Sequence, residues 1–226
     1  MCRTCCMWRR WRGGGSTQPQ NKVVSTNIFN LKAVVASFAS TPFQITFSAS
    51  ITKNGVTAKG SGSLTQGSAQ SGTFEGAVAQ KVVTAIRGSI SGNGNTFSLD
   101  NTSADYFDSN YNLLGRDGTS EYSVVDGLFN IPTSVKVGDT GDLYSLKKYS
   151  NSTKSALTGT EKVSYLIEAD TASTALVSIL TVEKDTNSRV TSQDTTQYRI
   201  SADNKLTPIK ETLNDYNDST VWTITF

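Results

Sequence analysis

From Phe43 onward the chain alternates between apolar and polar positions. In Phe43-Gln-Ile-Thr-Phe-Ser-Ala-Ser-Ile-Thr52 each odd position is apolar and each even one polar, the period of a strand that buries one face. Asn54-Gly55 follows, a dipeptide suited to a two-residue hairpin because both central residues must take positive φ. So short a loop fixes the register, setting Ile51 opposite Ala58, Ala49 opposite Gly60, Phe47 opposite Gly62 and Ile45 opposite Leu64. Both apolar sets then fall on one face, and the Phe47 ring can cover backbone that Gly62 leaves bare.

The same pattern predicts Phe74, Gly76 and Val78 on one strand, Val82, Thr84, Ile86 and Ile90 on the next, and a turn at Gly92-Asn-Gly94 leading into Phe97 and Leu99. Asp117-Gly118 turns the chain into Tyr122 to Val125. After a break over residues 126–132, strands are expected near Ser134 to Val137, Tyr144 to Tyr149, Val163 to Ala169, Ala175 to Glu183, Gln197 to Ile200, Leu206 to Thr212 and Val221 to Phe226. One segment has the helical period instead. Ile28, Phe29, Leu31, Val34, Val35 and Phe38 recur at helical spacing before Pro42, so a short amphipathic helix is expected as a plug or lid for the sheet. The prediction is an all-β, antiparallel fold, a curved sheet of barrel or sandwich type with one short N-terminal helix. It occupies residues 27–226, with 126–132 as the place where two halves would divide.

Composition narrows the chemistry. With 226 residues, 36% apolar and 18% charged, the chain can bury a sizeable core. The formal charge of +2 belongs to the leader, since without Arg3, Arg9, Arg10 and Arg12 the remainder holds 17 bases against 19 acids. That mildly acidic body has no basic stripe with interleaved aromatics, which argues against nucleic acid as a partner. His is absent and no Cys follows Cys6. The body therefore offers neither imidazole nor thiolate, which excludes His-dependent serine catalysis and the common zinc sites, and no cofactor is expected. Nor does any apolar run reach the length of a transmembrane helix.

Residues 1–26 read as a tail, ending in a Gly/Ser/Gln/Asn tether from Gly13. Its first twelve residues hold all three Cys, both Met and two of the three Trp. Cys2, Cys5 and Cys6 lack a fourth ligand for zinc, and the segment has no apolar h-region of a signal peptide. The near-unique codons of Met, Trp and Cys allow a different account. Read one base along, Met7-Trp8 must become Cys-Gly, and one permitted translation of the segment is Leu-Ala-Ala-Cys followed by glycines, the form of a lipobox with its tether. Residues 1–12 are accordingly read as a mistranslated lipobox region of an exported, lipid-anchored protein.

The second half carries a resemblance. Ile131-Pro132, Val135-Lys-Val-Gly-Asp-Thr-Gly141, Tyr149-Ser-Asn-Ser-Thr-Lys154, Tyr165-Leu-Ile-Glu-Ala-Asp170 and Gln197-Tyr-Arg-Ile200 are similar to uncharacterised proteobacterial lipoproteins whose mature ends begin with Cys and a glycine run. The resemblance implies an envelope location and brings no activity.

Few motifs carry chemistry. Asp139-Thr140-Gly141 occurs once and fits a polar turn better than half of an aspartic-proteinase site. Ser145-Leu-Lys147-Lys148 has an S-x-x-K spacing but lies in a predicted strand, away from the helix start that such acyl enzymes need. Asp108, Asn110 and Asn112 place oxygens at alternate positions as a calcium loop does, yet Leu113 and Thr119 stand where that loop needs Gly and Glu. With Asp105, Tyr106 and Tyr111 they form the candidate ligand surface.

The expectation is a non-catalytic cell-envelope lipoprotein with a structural or binding role. It would be anchored to the outer membrane by lipid, face the periplasm or exterior, and meet envelope proteins or a small apolar ligand. The alternatives are a periplasmic carrier with an apolar ligand in a β cavity and an outer-membrane β-barrel ending in Trp222, Ile224 and Phe226. An enzyme using paired carboxylates such as Asp105 and Asp108 is the remaining rival. A filled interior would favour the scaffold, an open cavity of a few hundred Å³ the carrier, and converging carboxylates the enzyme.

Overall fold

The computed structural model describes residues 24–119, 121–127 and 130–226; the leader reading of residues 1–12 lies outside them. Among the described residues one helix, α1 (Leu31–Ser40), precedes thirteen strands. These are β1 (Phe43–Lys53), β2 (Val56–Gln66), β3 (Gln70–Phe74), β4 (Ala77–Gly92), β5 (Asn95–Phe107), β6 (Leu113–Gly118), β7 (Tyr122–Val125), β8 (Thr140–Tyr149), β9 (Leu157–Ala169), β10 (Thr174–Asp185), β11 (Val190–Ser201), β12 (Leu206–Asp215) and β13 (Thr220–Thr225). From β4 to β13 each strand pairs antiparallel with the next, β13 pairs with β1, β1 with β2, and β2 with β4. That circuit is a closed twelve-strand barrel, with β3 as an extra strand on β4. The strands on either side of 126–132, β7 and β8, pair with each other in the one sheet.

The hairpin of β1 and β2 has the register that Asn54-Gly55 dictates, including Phe47 opposite Gly62. Both turn residues are left-handed, at φ 51° and 78°. Closure by β2 and β4 demands close backbone approach. A Cβ on Gly62 would stand 2.3 Å from the Arg87 carbonyl oxygen and 2.6 Å from Cζ of Phe47, and one on Gly88 would stand 2.4 Å from the Ser61 oxygen. Only glycine fits the seam on both strands.

One end of the barrel is filled by α1. The Asn30 side chain accepts a hydrogen bond from the Ala33 N–H at 2.9 Å, capping the first turn. At the other terminus Gln66 Nε2 donates to the carbonyls of Phe38 and Thr41 at 2.7 and 2.9 Å, satisfying groups that the last turn leaves open. Leu31 and Val34 pack among Val82, Leu146, Ile167, Val177 and Ile200, all of them buried.

Three expectations need correction. The helix begins at Leu31: Ile28 is 71% exposed, and Phe29 forms a backbone bridge with Val135. That single bridge is all the pairing found over Ser134 to Val137, which is no strand. Phe74 and Val78 belong to two strands, because Glu75-Gly76 is itself a turn with φ 49° and 80°. Glu lacks the Asn-like preference for that conformation, and long-range contacts hold it instead. Tyr122 Oη donates to Glu75 at 2.6 Å, and Lys154 forms an ion pair with it. Phe74 then stacks on Tyr106 and Tyr122, with centroids 4.7 and 5.3 Å away, against wall that Gly115 leaves bare.

Replacing Gly62 or Gly88 by Ala should lower the unfolding free energy by about 1–3 kcal/mol. Gly72→Ala, whose new Cβ would meet nothing nearer than Lys81 Cβ at 3.8 Å, should stay within about 0.5 kcal/mol of the parent. Urea unfolding of the three variants measures this, and equal stabilities would contradict the seam.

Candidate functional site

Beyond α1 the barrel is not filled. Phe38 at the end of the helix packs on Phe43 and Tyr198, with ring centroids 5.0 and 5.6 Å away, and together they make a floor. Above it lies a chamber of ≈ 480 Å³ that reaches the β6–β7 turn at Gly118 and Thr119. A smaller apolar cavity of ≈ 200 Å³ surrounds the helix beneath and shares Phe38, Gln66, Asp105, Arg116 and Tyr198 with it.

The chamber has two unlike walls. Where β13, β1, β2 and β4 pass, Phe226, Phe43, Leu64 and Ile86 line it. Around the other side Asp105, Arg116, Glu183, Asp194 and Glu211 line it, and Ser123, Lys148 and Glu161, facing inward but set behind that lining, complete a polar belt with one residue from each of the eight consecutive strands β5 to β12. Glu121, beside the start of β7, joins them. Alternation explains most of the belt, as Glu161 follows Val163 and Ile167, while bulges in β6 and β12 shift the phase so that Arg116 and Glu211 face inward after Leu113 and Pro208.

Both bases of the belt are engaged. Arg116 Nε donates to Asp105 at 2.7 Å, and Lys148 Nζ contacts Glu121 and Glu183, each at 2.7 Å. The Asp105 carboxylate, ahead of the opposing effect of burial, holds the Arg116 guanidinium above its ordinary pKa. For Lys148, burial favours the neutral amine, but the two glutamates outweigh it and raise the pKa. Three carboxylates have no such partner at contact distance among the described residues. Burial pushes Glu161 above the usual carboxylate range, offset in part by Arg116. It lifts Asp194 to about 6 against hydrogen bonds from Thr196 and the Thr195 N–H, with the Glu183 charge adding to it. Glu211 rises to about 7 through burial and the charge of Asp194.

The six residues singled out from sequence are divided by the barrel wall. Asp105 faces the chamber, whereas Tyr106 lies on the outside against Phe74; alternation turns Phe107 inward as well, and the bulge opposite it at Leu114 lets Leu113 and Arg116 both face inward. Asp108, Asn110, Tyr111 and Asn112 form the β5–β6 loop. There Asp108 Oδ1 accepts the N–H groups of Asn110 and Asn112 at 2.8 and 2.9 Å, and its Oδ2 accepts Asn112 Nδ2 at 2.8 Å. Burial would raise the Asp108 pKa, but these donors outweigh it and keep the group below its usual value. Tyr111, at φ 56°, leans on Phe107 with centroids 6.1 Å apart. The Asp108 oxygens are spent on the loop's own turn, and Asp105 and Asp108 serve separate partners.

No family model matches the chain, and no curated protein does. A solved structure of a DUF1329 family protein from Desulfovibrio piger ATCC 29098 is similar to it over 87% of this chain and 91% of that one, at 11% identity and a TM-score of 0.36. The chemistry has to be read from the chamber itself. Among the described residues no group of three or more His, Cys, Asp or Glu is placed to hold a metal ion.

The raised carboxylates tie stability to pH. Asp194 and Glu211 titrate at about 6 and 7 in the folded barrel, against about 3.9 and 4.3 in an unfolded chain. Between those limits the folded state binds more protons, so stability falls as pH rises from about 4 to about 7 and stays low above it. Asp194→Asn and Glu211→Gln should each raise Tm at pH 8 by about 2–4 °C or more and flatten its pH dependence. Thermal melts at pH 5 and 8 check this; lower Tm values at pH 8 would contradict it.

Proposed function

We propose that this protein is a non-catalytic, lipid-anchored carrier of the cell envelope that holds a small molecule inside its barrel. The supporting observation is the chamber: its ≈ 480 Å³ falls in the range of small-molecule sites, and it combines apolar walls with a few directed polar groups. A purely structural barrel would gain more from side chains filling that space. The enzyme alternative asks for carboxylates that converge on one point, and Asp105 and Asp108 do not.

The lipid anchor is supported by the reading of the leader and by the path of the chain. Asn27 Nδ2 donates to the Ser173 carbonyl and the Asn30 N–H to Asn204 Oδ1, so the segment entering from the tether lies at the end that α1 plugs. An anchor there would hold the plugged end toward the membrane and turn the mouth away. The outer wall favours water over lipid: exposed outward positions include Gln44, Thr46 and Ser48 on β1 and Thr158, Thr160 and Lys162 on β9, where a membrane barrel needs an apolar band.

N-phenyl-1-naphthylamine, a neutral dye that brightens in apolar surroundings, tests the carrier. It should bind saturably to the folded protein, and Leu64→Trp, which narrows the apolar wall, should weaken binding at least tenfold with secondary structure unchanged. Binding that ignores the substitution would place the dye elsewhere and count against the chamber. Intact-mass spectrometry of the natively expressed protein should find acyl chains on an N-terminal cysteine; an unacylated chain would remove the anchor.

A further inference from the structure

The carrier reading leaves the ligand's class open, and the belt narrows it. We infer that the chamber takes an organic cation with an apolar body, its charged head between Asp194 and Glu211 and its body against Phe43, Leu64, Ile86 and Phe226. This inference rests on the carrier reading.

The first support is charge. Six carboxylates face two bases around the belt, and Asp105 occupies Arg116 while Glu121 and Glu183 share Lys148. Glu161, Asp194 and Glu211 are left facing inward without a countercharge in contact. Glu161 is only 3% exposed, yet no hydrogen bond or ion pair reaches it among the described residues. Asp194 Oδ1 is sealed from solvent and also lacks a hydrogen-bond partner. Buried anions are costly unless something pairs with them, and a cationic guest would supply what the fold omits.

Shape and the second wall then separate the classes of ligand. An anion would meet net negative charge, and a neutral apolar molecule would dry the carboxylates without pairing them. A bare metal ion would want carboxylates gathered at one point, whereas no such group exists among the described residues. Side by side on β11 and β12, with an apolar wall opposite, Asp194 and Glu211 suit a cationic head carried on a hydrocarbon frame.

The test is displacement of N-phenyl-1-naphthylamine by decylamine, decanol and decanoate at pH 8, each below its micellar concentration. The three share a chain and differ only in head charge. Decylamine, protonated at this pH, should bind at least tenfold more tightly than decanol, with decanoate weakest. The double variant Asp194→Asn/Glu211→Gln should lose that preference while its affinity for decanol is unchanged, so that a folding defect would show as loss of both. If decanol matches or exceeds decylamine on the parent protein, the cation is refuted and the carrier stands. If the dye itself fails to bind the folded parent, the carrier reading falls and takes this inference with it.

Discussion

Closure of the sheet along one edge of β4 is the constraint on which the rest depends. That edge is shared by two consecutive segments: Gln66 of β2 lies opposite Thr84, and Gln70 of β3 opposite Lys81. Between them the Gly67 N–H donates to the Val83 carbonyl at 2.9 Å, so the ladder passes the joint without a gap. β2 is thereby held to β1 on one side and β4 on the other, and the barrel has no free edge at that point. Gly62 and Gly88 pass close to facing carbonyls because two strands must meet there at the angle that closure sets, not the one an open sheet would choose.

Once twelve strands are closed, the interior problem follows. An eight-strand barrel is just narrow enough for its own side chains to fill, and wider ones need a plug or retain a cavity. This chain does both. The capped helix, pinned by Gln66, fills the end where Val82, Leu146, Ile167 and Ile200 point inward. Its last aromatic residue, Phe38, becomes the floor on which the chamber rests. The length of α1 therefore sets the depth of the chamber, and the seam sets its width.

The β1–β2 hairpin could be read residue by residue because Asn54-Gly55 fixes its register locally. The β3–β4 hairpin could not, because the left-handed Glu75 is held by Tyr122 and Lys154, far away in sequence. The belt escaped notice for a different reason. A lone Glu between Thr160 and Lys162 looks like solvent-facing strand when each residue is taken by polarity alone. Phase carries the missing signal: extending the buried parity of Val163 and Ile167 back along β9 puts Glu161 inside, and extending that of Ile200 along β11 does the same for Asp194. Asp105 was found from its neighbourhood in sequence, although Tyr106 beside it belongs to the outer face.

Phase also explains why these carboxylates carry information about function. Inward positions nearer the plug are mostly apolar, Val163 and Ile167 on β9, Tyr198 and Ile200 on β11 and Leu206 on β12, and a barrel selected for stability alone would continue that series toward the mouth. Replacing buried ionic groups by apolar ones of similar size is commonly neutral or stabilising. Keeping Glu161, Asp194 and Glu211 without countercharges costs the barrel stability in the pH range where they ionise. A ligand that binds the folded state adds stability in proportion to its occupancy. On the carrier proposal the deficit and the ligand are two sides of one arrangement: the carboxylates that destabilise the barrel by themselves are the groups a cationic guest would pair.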